Sequence, residues 1–342
     1  MNILAVTIGG LGDAVLYSPV IKALRTRYPQ ASIRLLVASR LAASAYAGAS
    51  EIDSIACLHP GSRNPLRTSL GLLKFCIQSR MRNGRYDLGV YATGLNPKVP
   101  EFLRVLAGVD RSVCGPKPPA YPTDIECNVA LARRFDSDIS PADTFVPISD
   151  AAVEEADQIL QTTGIHGGET LLAVYPSTDL SHRPRWALTD LLEIVQRIKK
   201  LSFGGKIVVV GSQAEGREWS HADTDRLVDA NLCGRLSIAG SAAVLKRCCL
   251  TIGSDGGLMH IAGAVGSPAV VVMVNAPLSY RPPGSQTTVI RSQLDCCSAT
   301  YPERPDWCHD ARCRQSVPFD AVWQACEAIL TRRSHTGMDL LG

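Results

Sequence analysis

The sequence predicts an α/β chain made of two doubly wound, parallel-sheet halves. Short Ile- and Val-rich runs alternate with helical patterns. The alternation restarts after a Pro- and Asp-rich stretch near residue 140. Each half also places a glycine turn between a strand and a helix. A length of 342 residues, at a prior of about 150 per domain, fits two domains; we set them at 1–150 and 151–342, with a terminal helix free to pack back on the first.

Asn2 to Ile8 is a strand, Gly9-Gly10-Leu11-Gly12-Asp13 a turn, and a helical pattern follows through Arg27 to Tyr28-Pro29, where proline ends it. Ser32 to Ala38, Ile52 to Leu58 and Asp87 to Tyr91 read as further strands separated by helical stretches. After Asp136 to Pro147 comes a helix from Asp150 to Thr163, then strand Leu171 to Tyr175, helix Leu188 to Leu201, strand Lys206 to Val210 and the Gly211 turn. Leu250 to Gly253, the turn Asp255-Gly256-Gly257, a helix to Val265 and strand Ala269 to Val274 complete the round, and Pro318 to Arg332 forms the terminal helix.

Composition narrows the functional classes. A net charge of +3 is too small to mark a nucleic-acid binder. No apolar run approaches the roughly 20 residues that cross a bilayer, and no secretory leader is expected. Twelve cysteines in a chain of this size fall below the density of a disulfide scaffold, so a cytoplasmic protein is expected. Charge is unevenly spread: Ser54 to Tyr86 holds no Asp or Glu but six Lys and Arg. Within it Leu66, Leu70, Leu73, Ile77 and Met81 fall on one helical arc beside Arg67, Lys74 and Arg82. Such a basic amphipathic helix is either an ordinary solvated face or a surface for an anionic, lipid-linked partner or a membrane, making peripheral association at the inner membrane face an expectation.

Ligands of parallel sheets bind beyond the carboxyl ends of strands, where helix N-termini favour anions. Asp255-Gly256-Gly257-Leu258-Met259-His260 stands at such a place, and its glycines let backbone N–H groups approach a diphosphate. The alternative is an Asp cap on a glycine turn. His260 either reaches a phosphate oxygen or is a buried, satisfied histidine. The Gly9 to Gly12 turn is not GxGxxG, and Val37-Ala38-Ser39-Arg40 lacks the acidic residue a dinucleotide site needs, which argues against a nicotinamide cofactor. Gly10 and Gly12 then shape an acceptor-side turn. Asp13 is a base for an attacking hydroxyl or a helix cap. Cys296, Cys297, Cys308 and Cys313 crowd into one segment; without a clean CxxC they suit free or paired thiols, with a structural metal, zinc or iron, as the other reading.

Gly10-Leu11-Gly12-Asp13-Ala14-Val15-Leu16 near the start and Gly253-Ser254-Asp255-Gly256-Gly257-Leu258-Met259-His260 near the end together resemble glycosyltransferase family 9, the ADP-heptose:lipopolysaccharide heptosyltransferases, from Ile3 to about Leu330. The resemblance implies a GT-B fold, two Rossmann-like domains facing across a cleft, with the acceptor on the first domain and ADP-heptose on the second. It implies no required metal. Asp13 takes the place of the family's general base, and Asp255, Gly256, Gly257, Met259 and His260 that of the diphosphate segment. Gly211 with Glu215 matches a turn near the adenosine, and Ser177-Thr178 a hydroxyl pair after the second domain's first strand. This chain departs where the family has Lys before a Trp-Pro pair: it reads Arg183-Pro184-Arg185-Trp186-Ala187, so an arginine must supply the cation, and we favour Arg183. Gly256 replaces a usual Ser or Thr, and Thr7-Ile8 stands where the family has Arg.

The expected function is inverting transfer of a heptose from ADP-heptose to a hydroxyl of a lipopolysaccharide-core or other glycan, protein or natural-product acceptor. A nucleotide-sugar epimerase on the same fold and a non-catalytic relative are the alternatives.

Overall fold

The computed structural model describes residues 1–59, 65–116, 121–176, 185–201, 203–221, 224, 226–274, 276–292, 294 and 312–336. The chain divides into two compact units, Met1–Pro147 and Ile148–Gly342.

The first unit contains β1 (Asn2–Thr7), α1 (Leu11–Arg27), β2 (Ser32–Ser39), the one-turn α2 (Arg40–Ala43), β3 (Ser54–His59) and α3 (Pro65–Asn83). It continues with β4 (Tyr86–Tyr91), α4 (Lys98–Leu106), β5 (Val109–Cys114) and α5 (Asp124–Ala132). Its sheet is parallel, in the order β3-β2-β1-β4-β5. Chain direction across the sheet reverses between β1 and β4, so the carboxyl end of β1 is the switch point where such sheets place ligands. Ile3 to Val6 are fully buried, which is why β1 reads as a continuous apolar run instead of an alternating one.

Helix α1 carries Pro19 in its interior, which leaves the Val15 carbonyl without an amide donor. The Ser18 hydroxyl fills that gap, donating to Val15 O at 2.7 Å and accepting from the Phe145 N–H at 2.9 Å. Buried Tyr17 and Tyr46 tie the helix down through hydrogen bonds to the carbonyls of Val90 and Ala14. The start of α1 is thereby held rigidly over the sheet.

The second unit runs α6 (Asp150–Thr162), β6 (Leu171–Tyr175), α7 (Leu188–Lys200), β7 (Lys206–Val209), α8 (Gln213–His221), β8 (Ala230–Asn231), α9 (Ile238–Lys246), β9 (Cys248–Ser254), α10 (Gly257–Ala264), β10 (Ala269–Met273), β11 (Thr287–Arg291) and α11 (Phe319–Thr336). Its parallel sheet is ordered β11-β10-β9-β6-β7-β8, with the switch point between β6 and β9. The terminal helix α11 packs on β9, β10, β11 and α7 of its own unit, burying Val322, Cys326 and Leu330 in a core shared with Trp186, Ile194 and Ile252.

Sequence reading omits β5, β8 and β11. All three are outer strands, as is β3, and in β5 Asp110, Arg111 and Ser112 are exposed. An edge strand solvated on this scale lacks the apolar run that marks a central one.

Candidate active site

In the first unit the turn after β1 delivers Asp13 to the third position of α1. Its Oδ2 accepts the Gly10 N–H at 2.6 Å, neutralising one of the unpaired donors at the helix start. The capping reading of Asp13 is therefore real, and it fixes the carboxylate. It does not exhaust it: Oδ1 has no hydrogen-bond partner among the described residues, and the side chain is half-buried, open to solvent on one side. Gly9 is required by space, because a Cβ there would fall inside the Asp13 carboxyl group. Gly10 leaves its N–H to Asp13, and Gly12 is buried in the first turn.

A second carboxylate, absent from the sequence-based set, stands close to Asp13. Asp124 opens α5, which packs on α1, after the Thr123 cap, whose hydroxyl accepts the Glu126 N–H at 3.3 Å. Burial, and then the negative charge of Asp13, push the Asp124 carboxyl up to about 6. In the sequence Thr-Asp reads only as a helix start; its proximity to Asp13 is tertiary.

In the second unit, β9 is buried throughout and ends at Ser254. The Asp255 N–H continues the ladder to Val272 O at 2.9 Å. Gly256 is the cap of α10, in extended backbone, and its need for glycine is again spatial: a Cβ would lie 2.7 Å from the Tyr175 ring. The first amides of an α-helix have no partner within it, so Gly257 and Leu258 present N–H groups at the β6/β9 switch point. Met259 has its amide on Gly256 O at 3.0 Å and a fully buried side chain. Its side chain anchors the first turn of the helix in the core.

His260 is fully buried, 5.2 Å from the Tyr280 ring centroid, with Nε2 3.9 Å from Asp255 Oδ1. Burial pushes its imidazole down to about 3, so it is neutral. Neither ring nitrogen has a hydrogen bond among the described residues. Arg185 lies against this turn: its Nη1 donates to the Asp255 carbonyl and stands 3.7 Å from Asp255 Oδ2. The neighbouring Trp186 N–H donates to Ser254 Oγ at 3.2 Å, and its ring is buried in the core, so this pair of residues is pinned across the end of β9. Arg183, favoured from sequence, lies outside the described residues, as do Ser177 and Thr178; among the described residues Arg185 is the arginine at the turn.

Gly211 follows β7, on the far side of β6 from β9. Glu215 is buried, with Oε2 on the Ser212 N–H at 2.6 Å, and the Ser212 hydroxyl accepts the Glu215 N–H at 3.4 Å. This reciprocal cap occupies one carboxylate oxygen, and Gly211 makes room for it, since a Cβ would lie 2.9 Å from Oε2. Of the cysteine cluster, Cys296, Cys297 and Cys308 lie outside the described residues and Cys313 is buried in the second core.

Residues 112–304, more than half of the chain, match the profile of glycosyltransferase family 9 (heptosyltransferase). The chain belongs to that family. It is 23% identical over 321 residues to lipooligosaccharide heptosyltransferase 2 of Haemophilus influenzae, covering 85% of this chain and 88% of that one. The crystal structure of a family 9 glycosyl transferase from Veillonella parvula superposes with a TM-score of 0.77 at 16% identity, over 97% of both chains. The Escherichia coli ADP-heptose lipopolysaccharide heptosyltransferase II does so with 0.68 at 18% identity, over 98% of this chain and all of that one. The fold of this family 9 member is GT-B, and the protein is a heptose-transferring glycosyltransferase. No helix among the described residues is long and apolar enough to cross a membrane.

Proposed function

We propose that this glycosyltransferase moves heptose from ADP-heptose to a sugar hydroxyl of a lipopolysaccharide-core acceptor, a lipid-linked anionic glycan met at the inner face of the membrane. The names of the Haemophilus and Escherichia relatives support the donor and the acceptor class. The observation that carries the chemistry is Asp13, held by Gly10 through one oxygen with the other uncommitted.

In this reading Oδ1 of Asp13 takes the proton of the acceptor hydroxyl as its oxygen attacks the anomeric carbon from the face opposite the diphosphate. One C–O bond forms, the C–O bond to the diphosphate breaks, and ADP leaves with the electron pair. The configuration inverts. The amides of Gly257 and Leu258 and the Arg185 guanidinium meet the leaving group's charge, a preorganised set needing no metal. Asp255 would repel a diphosphate by itself; the guanidinium 3.7 Å away offsets its charge. His260, neutral, adds a polar but uncharged neighbour. Ser177, Thr178, Gly211 and Glu215 belong in this reading to the nucleotide's binding surface.

Calorimetry with ADP, UDP, GDP and CMP tests the donor: selective ADP binding is expected, and a preference for another nucleotide reassigns it. With ADP-heptose and a heptose-deficient core acceptor, Asp13→Ala is expected to bind ADP as the parent does and to lose transfer. Full turnover by that variant would remove Asp13 from its role.

A further inference from the structure

Helix α3 has two apolar faces. One is in the core: Leu72, Phe75 and Cys76 pack with Leu58 and Tyr86, and buried Ser79 hydrogen-bonds Tyr86 at 2.5 Å. The other faces water, with Leu70 65%, Leu73 41%, Ile77 55% and Met81 82% exposed. At 100° per residue these four side chains share an arc of about 80° on the side away from the core. A helix covering a domain normally turns polar residues outward. Exposed single leucines are unremarkable, but an aligned row over three turns marks an interaction surface.

Charge says what covers it. Lys74 borders the arc on one side and Arg80 on the other, and both are exposed. The sequence around them, 54 to 86, contains no Asp or Glu, and adds Arg63, Arg67, Arg82 and Arg85. Helix α4, which packs beside α3, ends in two more exposed apolar side chains, Val105 and Leu106. Arg80 reaches the Gly108 turn that follows them. A second copy meeting this face would set cation against cation. An anionic bilayer accepts the apolar row among its acyl chains and the cations among its headgroups.

We propose that the outward arc of α3, Leu70, Leu73, Ile77 and Met81 bordered by Lys74 and Arg80, docks this protein on an anionic membrane surface. The proposal rests on this surface alone and is independent of the sugar donor, so its test contains neither donor nor acceptor. The full chain is floated with vesicles of phosphatidylglycerol and phosphatidylethanolamine, and separately with neutral phosphatidylcholine, at low and high salt. Binding is expected on the anionic vesicles, weakened by salt. The variant Leu70→Gln/Ile77→Gln/Met81→Gln keeps good helix formers at exposed positions and is expected to bind roughly tenfold or more weakly. Lys74→Glu, which leaves the apolar row intact, is expected to lose several-fold, and both variants to melt as the parent does. Equal binding to neutral vesicles, or a triple variant that binds like the parent, overturns the proposal. So does a lipid-free dimer in sedimentation that the triple substitution abolishes, which would make the face a contact between copies.

Discussion

The chain builds the same local device twice and makes different things of it. After β1 and after β9, each inside its sheet at the switch point, a glycine turn leads into a helix and an aspartate stands within reach of the helix start. The difference is the side of the glycines on which the aspartate falls. Asp13 comes after them, in the first turn of α1, where one oxygen caps the helix and the other is left over. Asp255 comes before them, buried, beside Arg185 and a neutral imidazole. The first arrangement consumes the helix's positive end on its own carboxylate and yields a fixed, partly accessible carboxylate oxygen. The second sets its carboxylate back against an arginine and leaves the helix amides to an external anion.

The largest expected effect comes from breaking the first arrangement. Asp13→Asn still accepts the Gly10 N–H, so the stability cost is expected to stay below about 1 kcal/mol, while turnover falls on the order of 10²- to 10⁴-fold. A thermal melt and kcat on one preparation separate the two. Equal losses in both would mean that Asp13 is only a cap. Gly9→Ala sharpens the point by adding nothing but a methyl group at the carboxylate: kcat is expected to drop roughly tenfold or more as the base is displaced, with ADP affinity intact. Gly256→Ala, which collides with Tyr175, is the matched change in the second turn. It is expected to weaken ADP binding in calorimetry, the reverse pattern.

Next in size is Arg185. Losing a charged donor to a diphosphate costs about 1.5–3 kcal/mol, or roughly 10- to 100-fold in ADP affinity for Arg185→Ala. Because the same guanidinium also holds the Asp255 carbonyl, Arg185→Lys is expected to recover charge without the bifurcated reach, and only part of the affinity. If Arg185→Ala binds ADP as the parent does, the diphosphate cation lies elsewhere.

The contrast between the two turns also marks what could be read in advance. The central strands β1, β2, β6, β9 and β10 are buried on both faces and announce themselves as apolar runs; Asp13 and Asp255 follow because each glycine turn sits at the end of such a run. What sequence could not supply were relations across the fold. That one carboxylate oxygen of Glu215 is taken by the Ser212 amide is visible only in the fold. Met259 is adjacent to His260 in sequence yet belongs to the core. Sequence favours Arg183, which lies outside the described residues; the approach of Arg185 to Asp255, beside Trp186 pinned on Ser254, is a tertiary relation that sequence does not show. The outward row on α3 was legible as periodicity, but periodicity does not tell which of two apolar faces the core takes.

Asp124 gives the smallest effect and the finest probe of the first turn. An acid raised from 3.8 to about 6 by burial and by Asp13 binds its proton more tightly in the folded chain than in the unfolded one. Its contribution to stability is therefore complete below about pH 4 and is lost as pH rises through about 6. Asp124→Asn never ionises, so it should match the parent at pH 4 and exceed it at pH 8. Discounted for the partial exposure of the group, the gain is about 1 kcal/mol, readable as a pH-dependent difference in denaturant midpoint. The same ionisation should appear in kcat/KM. Above about pH 6 a second negative charge beside Asp13 favours the arrival of the hydroxyl's proton, so the parent's rate rises through that pH and the variant's profile lacks the step. His260, neutral down to about 3, cannot produce a step there. A profile unchanged by Asp124→Asn would mean that the carboxylate lies too far from the reacting proton to matter, leaving Asp13 to act without a neighbour.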